Sequence, residues 1–228
     1  MKEYWNQRFA EDEFAYGDAP HVSVREQFSA PGSGRVLCLA EGQGRNAVYL
    51  ASLGYEVTAL DFSEVGLERA QELASRHGVA IHRLQADLST YEFEPQAWDG
   101  IVSIFGHLPA PVRARVHAQL RGALMPGGWL QLVGYHPKQL EYATGGPQEP
   151  SMLYTVDVLK AELGEGWIFE VAEVVERELE EGPYHRGMSA FVHLVARKPA
   201  TSNQQLATSN QQLATSNQQL ATSNQQLK

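Results

Sequence analysis

This sequence predicts an α/β protein with one doubly wound, mostly parallel sheet, on three observations. Val36 to Ala40 is a short, wholly apolar run that reaches Glu41 and a Gly-x-Gly turn at Gly42 and Gly44. A second strand-like run, Glu56–Leu60, ends in an acid, Asp61, nineteen residues beyond Gly42. Beyond that point strand and helix signals alternate until two runs of alternating apolar and polar residues close the domain. A turn at the carboxyl end of one strand, with an acid at the end of the next, is how such a sheet holds a nucleoside. Glycines let the backbone approach the ligand, and the acid accepts hydrogen bonds from ribose hydroxyls.

The elements follow in order. Residues 1–34 open with Tyr4, Trp5, Arg8 and Phe9 at helical spacing, and Tyr16 to Pro20 breaks that helix. Arg35–Ala40 is apolar after its first residue, as a central parallel strand buried on both faces must be. Arg45–Leu53 is a helix stopped by Gly54. Ser63 is placed to cap the next helix, which carries Leu67, Ala70 and Ala74 on one face, Arg76 and His77 near its end, and Gly78 as its stop. Ala80–Leu84 is the third strand and Trp98–Phe105 the fourth. Val112, Val116, Leu120 and Leu124 make a helix ended by Pro126-Gly127-Gly128, and Trp129–Tyr135 is the fifth strand. Pro137–Pro150, rich in Gly and Pro, is a long loop, and Thr155–Leu163 a short helix. Trp167–Leu179 and Met188–Arg197 are joined by a connection too short for a crossover helix, so they form an antiparallel pair. The expected sheet therefore has five alternating β/α units plus a hairpin, seven strands in all, with helices on both faces.

Size and charge narrow the function. At 228 residues the chain suits one domain with a sizeable core. Thr201–Lys228 differs in kind: TSNQQLA is repeated three times and begun again, without an aromatic residue and with no separate a and d positions for a coiled coil. Its composition predicts a disordered tail over 200–228. The formal charge is −9, and Lys228 is the tail's only charge, so residues 1–200 carry −10. An acidic domain without a Lys/Arg cluster is a poor match for nucleic acid, and a small-molecule partner is expected instead. No segment reads as a signal peptide or as an apolar span of about 18 residues, so a soluble cytoplasmic protein off the membrane is expected. Cys38, the single cysteine, lies within the first apolar run and reads as a buried structural thiol. His21, His77, His82, His117, His136 and His193 show no metal-ligand spacing, and no metal is expected.

Several segments together resemble a known family. WNQRF followed by FAYGDAP, the LAEGQGRNAVYLA turn, LDFS, QADL, the LMPGGWL run and the closing EGPYHRGMSAFVHLVARKP stand in an order and spacing that resemble class I S-adenosylmethionine-dependent methyltransferases over residues 1–199. Within them the resemblance is to the small tellurite-resistance and thiopurine methyltransferase-like group. It implies a Rossmann-like fold over 35–199, a cap segment over 1–34, and S-adenosylmethionine as cofactor. One departure stands out. The family turn reads acid-x-Gly-x-Gly-x-Gly, but here Cys38 holds the acid position and Ala40 the first glycine, leaving Glu41 as a candidate substitute.

Carried over residue by residue, the resemblance places Ala40, Glu41, Gly42, Gly44, Arg45 and Asn46 beside the methionine and ribose. It places Asp61, Phe62 and Ser63 at the ribose and adenine, and Ala86, Asp87 and Leu88 at the adenine. Ser103, Ile104 and Phe105 fall beneath the sulfonium, with Trp5, Tyr16 and Arg8 over the cofactor and acceptor. Each has a plainer alternative. Asp61 could cap the following helix with Ser63, Asp87 could cap a turn, Trp5 and Tyr16 could be core staples, and Arg8 could pair with Glu11 or Asp12. His107 and His185 border the expected acceptor position and are candidate bases. The expected reaction is methyl transfer by in-line displacement to a small, soft or thiol-like acceptor, which requires alignment more than acid–base chemistry. Two other classes fit less of the chain. A nicotinamide oxidoreductase would need the full G-x-G-x-x-G, and position 47 is Ala. A non-catalytic cofactor-binding or scaffold protein would account for the altered turn and the repeats.

Overall fold

The computed structural model describes residues 2–11 and 13–200. The helices are α1 (Lys2–Phe9), α2 (Val22–Gln27), α3 (Arg45–Ser52), α4 (Glu64–Arg76), α5 (Ala110–Ala123), α6 (Gln139–Tyr142) and α7 (Val156–Leu163). The strands are β1 (Arg35–Leu39), β2 (Glu56–Asp61), β3 (His82–Gln85), β4 (Trp98–Ile104), β5 (Leu124–Tyr135), β6 (Ile168–Glu180) and β7 (Arg186–Arg197). They form one sheet in the order β3-β2-β1-β4-β5-β7-β6. The pairs from β3 through to β5 are parallel, and β7 runs antiparallel to both β5 and β6. The seven-stranded, mostly parallel sheet with a closing hairpin is the expected architecture.

Continuous apolar strands exist here because both faces are covered. Val36 and Cys38 of β1 pack with Ala47 and Leu50 of α3 and with Leu67, Ala70 and Leu73 of α4. Leu37 and Leu39 point the other way, into a cluster with Val116 and Leu120 of α5 and Leu159 and Leu163 of α7. The period of two along the strand thus sends alternate residues to two separate cores. Cys38 is fully buried in the first of them.

Several boundaries depart from the sequence expectations. The segment before β1 contains a second helix, α2, capped by the His21 side chain, which accepts from Ser23 N. Histidine is not a usual cap, so the helix carries no ordinary start signal. β3 and β4 are joined without a helix, so the β/α alternation lapses there. β5 begins at Leu124, directly after α5, and Pro126-Gly127-Gly128 lies inside it. Trp98 pairs with Leu124 and Gly100 with Trp129, so the turn residues form an irregularity in a strand rather than the stop of a helix. The Pro137–Pro150 loop contains α6, and Pro150–Met152 is a 3-10 turn. The TSNQQLA repeat and the proposed partner Asp12 lie outside the described residues.

β1 sits between β2 and β4, and the chain leaves it on opposite sides toward its two neighbours. In a doubly wound sheet that reversal opens a crevice at the carboxyl ends of the strands. α1 lies across one side of it. Asn6 Oδ1 accepts from Ser63 Oγ at 2.7 Å and Lys2 Nζ donates to Glu64 Oε2 at 3.1 Å, which pins α1 to the start of α4.

Candidate active site

A cavity of about 680 Å³ occupies this crevice. Its wall includes Ala40, Glu41, Gly42, Arg45 and Asn46 after β1, and Asp61 and Phe62 at the end of β2. Ala86, Asp87 and Leu88 follow β3, Ile104, Phe105 and His107 follow the β4 edge, and His185 precedes β7. From the amino-terminal segment come Trp5, Arg8 and Tyr16. Three expected residues stand behind the wall instead. Gly44 caps α3 at φ 87°, where a Cβ would meet the Ala70 Cβ at 2.5 Å. Ser63 is the cap of α4, its Oγ accepting from Gly66 N at 3.0 Å. Ser103 packs beside β1 opposite Leu39. All three shape the lining without forming it.

Asp61 is 4 % exposed and both its oxygens accept backbone hydrogens, Oδ2 from Gly42 N and Oδ1 from Ser63 N, each at 2.8 Å. The strand-end acid therefore fastens the glycine turn to the end of β2 as well as facing the cavity. Burial pushes its pKa up to about 6, against the pull of those two N–H groups. Glu41 Oε1 accepts from Asn46 N at 2.9 Å and Ala47 N at 2.8 Å, so it caps the first turn of α3, a site where a helix favours negative charge. Burial pushes its pKa up to about 7. Glu41 is thus neither a solvated side chain nor a free carboxylate: one oxygen belongs to the helix. Asp87 is more exposed, and its Oδ1 accepts from Ser89 N at 2.8 Å, the turn-capping geometry.

Ala40 and Phe105 follow directly on β1 and β4 and adopt left-handed backbone, φ 48° and 53°. Ala40 takes there a conformation that glycine adopts freely and that costs a non-glycine residue roughly 1–2 kcal/mol. Such conformations persist where the surroundings enforce them, commonly at functional sites.

Arg45 and Asn46 line the cavity, but their side chains already have protein partners. Arg45 Nη1 donates to Tyr16 O and to Glu181 Oε2, both at 2.8 Å, and Asn46 Oδ1 accepts from His21 N at 2.9 Å. Arg8 stacks its guanidinium over the Tyr184 ring at 3.6 Å, with Glu11 at 3.8 Å, so it bridges α1 to the hairpin turn. Trp5 stacks on Phe9 at 5.4 Å and tilts against Tyr16 at 6.3 Å.

The two histidines differ sharply. His107 Nδ1 lies 2.9 Å from Met152 O, and Nε2 accepts from Tyr135 N at 3.2 Å. With both nitrogens held by backbone and burial lowering its pKa to about 4, His107 is a structural clamp. His185 Nδ1 is sealed from solvent and stands 3.7 Å from Glu181 Oε2, in ion-pair range. Glu181 is held at about 2 despite its burial by His185, Arg45 and His21 around it. An ionised carboxylate beside Nδ1 favours the proton there and leaves Nε2 as the acceptor. Sequence reading missed this acid–base pair because Glu181 looks like any acid in a hairpin turn. Tyr135 and Tyr184 also line the cavity unannounced, although a residue that ends a parallel strand, as Tyr135 does, could have been flagged by position alone. Among the described residues no group of three or more His, Cys, Asp or Glu is placed to hold a metal ion.

Comparison with known proteins agrees with this geometry. Residues 36–128 match the model of a methyltransferase domain family. The uncharacterized methyltransferase YbaJ of Bacillus subtilis (strain 168) is 35% identical over 85 residues, 36% of this chain and 33% of that protein. The chain thus spans about a third of the length of that curated relative. A structure from work on the conversion of a disulfide bond into a thioacetal group during echinomycin biosynthesis superimposes with TM-score 0.72 at 18% identity, covering 96% of this chain and 99% of that one. The crystal structure of TehB from Haemophilus influenzae does so with TM-score 0.66 at 23% identity, covering 86% and 66%. Residues 36–128 thus match a methyltransferase domain, and the chain shares the fold of TehB.

Proposed function

We propose that this protein transfers the methyl group of S-adenosylmethionine to a small, soft or thiol-like acceptor. One observation carries the reading: the buried carboxylates Glu41 and Asp61, at the ends of adjacent strands, stand in the wall of one cavity at the switch point of the sheet. Two buried acids with raised pKa values suit a cationic ligand that also offers hydroxyls, since each carboxylate is costly to ionise without a partner. Asp61 would accept from the ribose hydroxyls, the oxygen of Glu41 not capping α3 would meet the amino group, and Asp87 would accept from the adenine amine between Phe62 and Leu88. Residues 2–34 would cover the site through Trp5, Arg8 and Tyr16.

Bound S-adenosylmethionine supplies an electrophilic methyl group on a sulfonium, open to in-line displacement. The protein's part is alignment and exclusion of water, which can lower a barrier by about 7–11 kcal/mol. His185, backed by Glu181, is the group placed to take the proton of an X–H acceptor at Nε2, and a thiol needs only modest help of that kind. His107 takes no part in proton transfer, because its nitrogens hold Met152 and Tyr135.

Calorimetric titration with S-adenosylmethionine, followed by detection of S-adenosylhomocysteine release across thiols, tellurite, selenite, halides and small amines, tests the proposal. Micromolar cofactor binding with turnover on a thiol is the expected result. Absence of cofactor binding overturns the reading, and turnover on amines alone overturns the acceptor class.

A further inference from the structure

The seat of α2 on the sheet holds a buried amide that is only partly satisfied. Gln131, on β5, is fully buried. Its Nε2 donates to Ser23 O at 2.9 Å and lies 3.1 Å from His193 Nε2 on β7. Its Oε1, equally buried, has no hydrogen-bond partner. A primary amide has two hydrogens on nitrogen, enough for both neighbours provided that each accepts. Ser23 O can only accept, so the amide nitrogen belongs on that side. His193 Nε2 must then be bare, with the ring hydrogen on Nδ1. Turning the amide over at neutral pH would set Oε1 against Ser23 O, acceptor to acceptor.

This arrangement has no place for a second ring hydrogen. A protonated His193 presents N–H at both nitrogens, and Nε2–H would face the amide NH2 at 3.1 Å, donor to donor. The charges around the ring favour the proton. Glu173 stands opposite His193 in the β6–β7 ladder, and Glu26 lies on α2 with Arg177 of β6 at 3.2 Å from it. Burial outweighs the two carboxylates and lowers the His193 pKa below the ordinary 6.5. His21, at the start of α2, stays neutral through this range, its own pKa lowered by burial to about 3.

We propose that Gln131 and His193 form an acid-sensitive clasp on α2: protonation of His193 turns the Gln131 amide over, so that Oε1 accepts from His193 Nε2 and Ser23 O loses its donor. The unpartnered oxygen makes the second state available, because the flip gives it the hydrogen it lacks at neutral pH. The amide nitrogen becomes the unsatisfied atom in its place, and α2 loses its side-chain tie to β5. Val22 N, in the first turn of the same helix, donates to Glu181 Oε1 at 3.4 Å. Loosening α2 therefore reaches the carboxylate behind His185. Neither Gln131 nor His193 lines the 680 Å³ cavity, so the clasp acts on the site from outside it.

Nuclear magnetic resonance on the full chain between pH 7.5 and pH 4.5 tests the clasp. The side-chain amide signals of Gln131 are expected to shift with the same midpoint as the His193 ring, below pH 6.5. Exchange of the α2 amide hydrogens, corrected for its intrinsic pH dependence, is expected to rise about tenfold over the same step. Gln131→Met identifies those signals by their loss and removes the opposing donor, so it should raise the His193 midpoint by about half a unit or more. His193→Phe should hold the Gln131 signals and the corrected exchange flat across the range. If that variant does not fold, the wild-type titration decides by itself. Gln131 signals that stay flat while His193 titrates, a His193 that takes no proton down to pH 4.5, or an acid response kept in His193→Phe each overturns the clasp.

Discussion

Asp61 and Glu41 each do two things at once, and their substitutions separate those roles. Asp61 accepts from Gly42 N and Ser63 N, so Asp61→Ala strands two buried N–H groups besides removing the proposed ribose contact. We expect a loss of about 1–3 kcal/mol in S-adenosylmethionine affinity by calorimetry together with a lowered melting temperature. An unchanged affinity with lowered stability would leave Asp61 only its backbone role. Glu41 carries a sharper pH signature. Its folded pKa of about 7 lies above the ordinary 4.5, so the stability it contributes is fully present below pH 4.5 and is lost as pH rises through 7. Gln keeps the oxygen that caps α3 but does not ionise. The stability of Glu41→Gln relative to wild type should therefore grow from pH 4.5 to pH 7 by up to about 3 kcal/mol and then level off. Denaturant melts across that range check it, and a constant difference would mean that Glu41 ionises freely. That Asp61 stands in the cavity wall was legible from its place after an apolar strand. The amides it holds were not, because Gly42 reaches it only once β1 and β2 pair.

Among elements, the β6–β7 hairpin is fastened to the start of α3, just after the glycine turn, through one buried carboxylate. Glu181 Oε2 takes the Arg45 guanidinium at 2.8 Å, and Oε1 lies 3.8 Å from His21 Nε2. The start of α3, the start of α2 and the hairpin therefore meet at a single charge. Glu181→Gln should destabilise the protein by about 3 kcal/mol at pH 7, since it leaves Arg45 buried without its counter-charge. Because Glu181 titrates at about 2 when folded, its contribution is present above pH 4.5 and fades as pH falls toward 2. The gap between Glu181→Gln and wild type should close over that interval in urea melts, and a gap independent of pH would assign the loss to packing. The hairpin itself was legible from its period-two pattern and short connection. α2 was not, because its cap is a histidine and its six residues span less than two turns.

For the molecule as a whole, the seven strands and the cavity are complete within residues 2–200, where Lys198 N donates to Gly128 O at 2.8 Å to close the sheet beside β5. Truncation after Ala200 should leave melting temperature and S-adenosylmethionine affinity within error, because the repeat has too little apolar surface to contribute a core. A fall in either would show that the repeat supports the domain. No helix among the described residues is long and apolar enough to cross a membrane.

By itself the sequence determined the sheet. Runs such as Val36–Ala40 and Glu56–Leu60, the glycine turn between the first run and its helix, and the alternation that closes the chain are local patterns, readable because period and turn chemistry act over a few residues. It also placed Asp61, Phe62, Asp87 and Phe105 at strand ends, which in a doubly wound sheet is enough to put them at one crevice. Only the tertiary structure decided what those residues have left to offer a ligand. It committed Arg45 and Asn46 to the amino-terminal segment and the hairpin, locked both nitrogens of His107 to backbone, and set Glu181 behind His185. Hydrogen-bond partners between residues as far apart as Arg45 and Glu181 depend on how strands and loops converge in space, and no spacing along the chain carries that information.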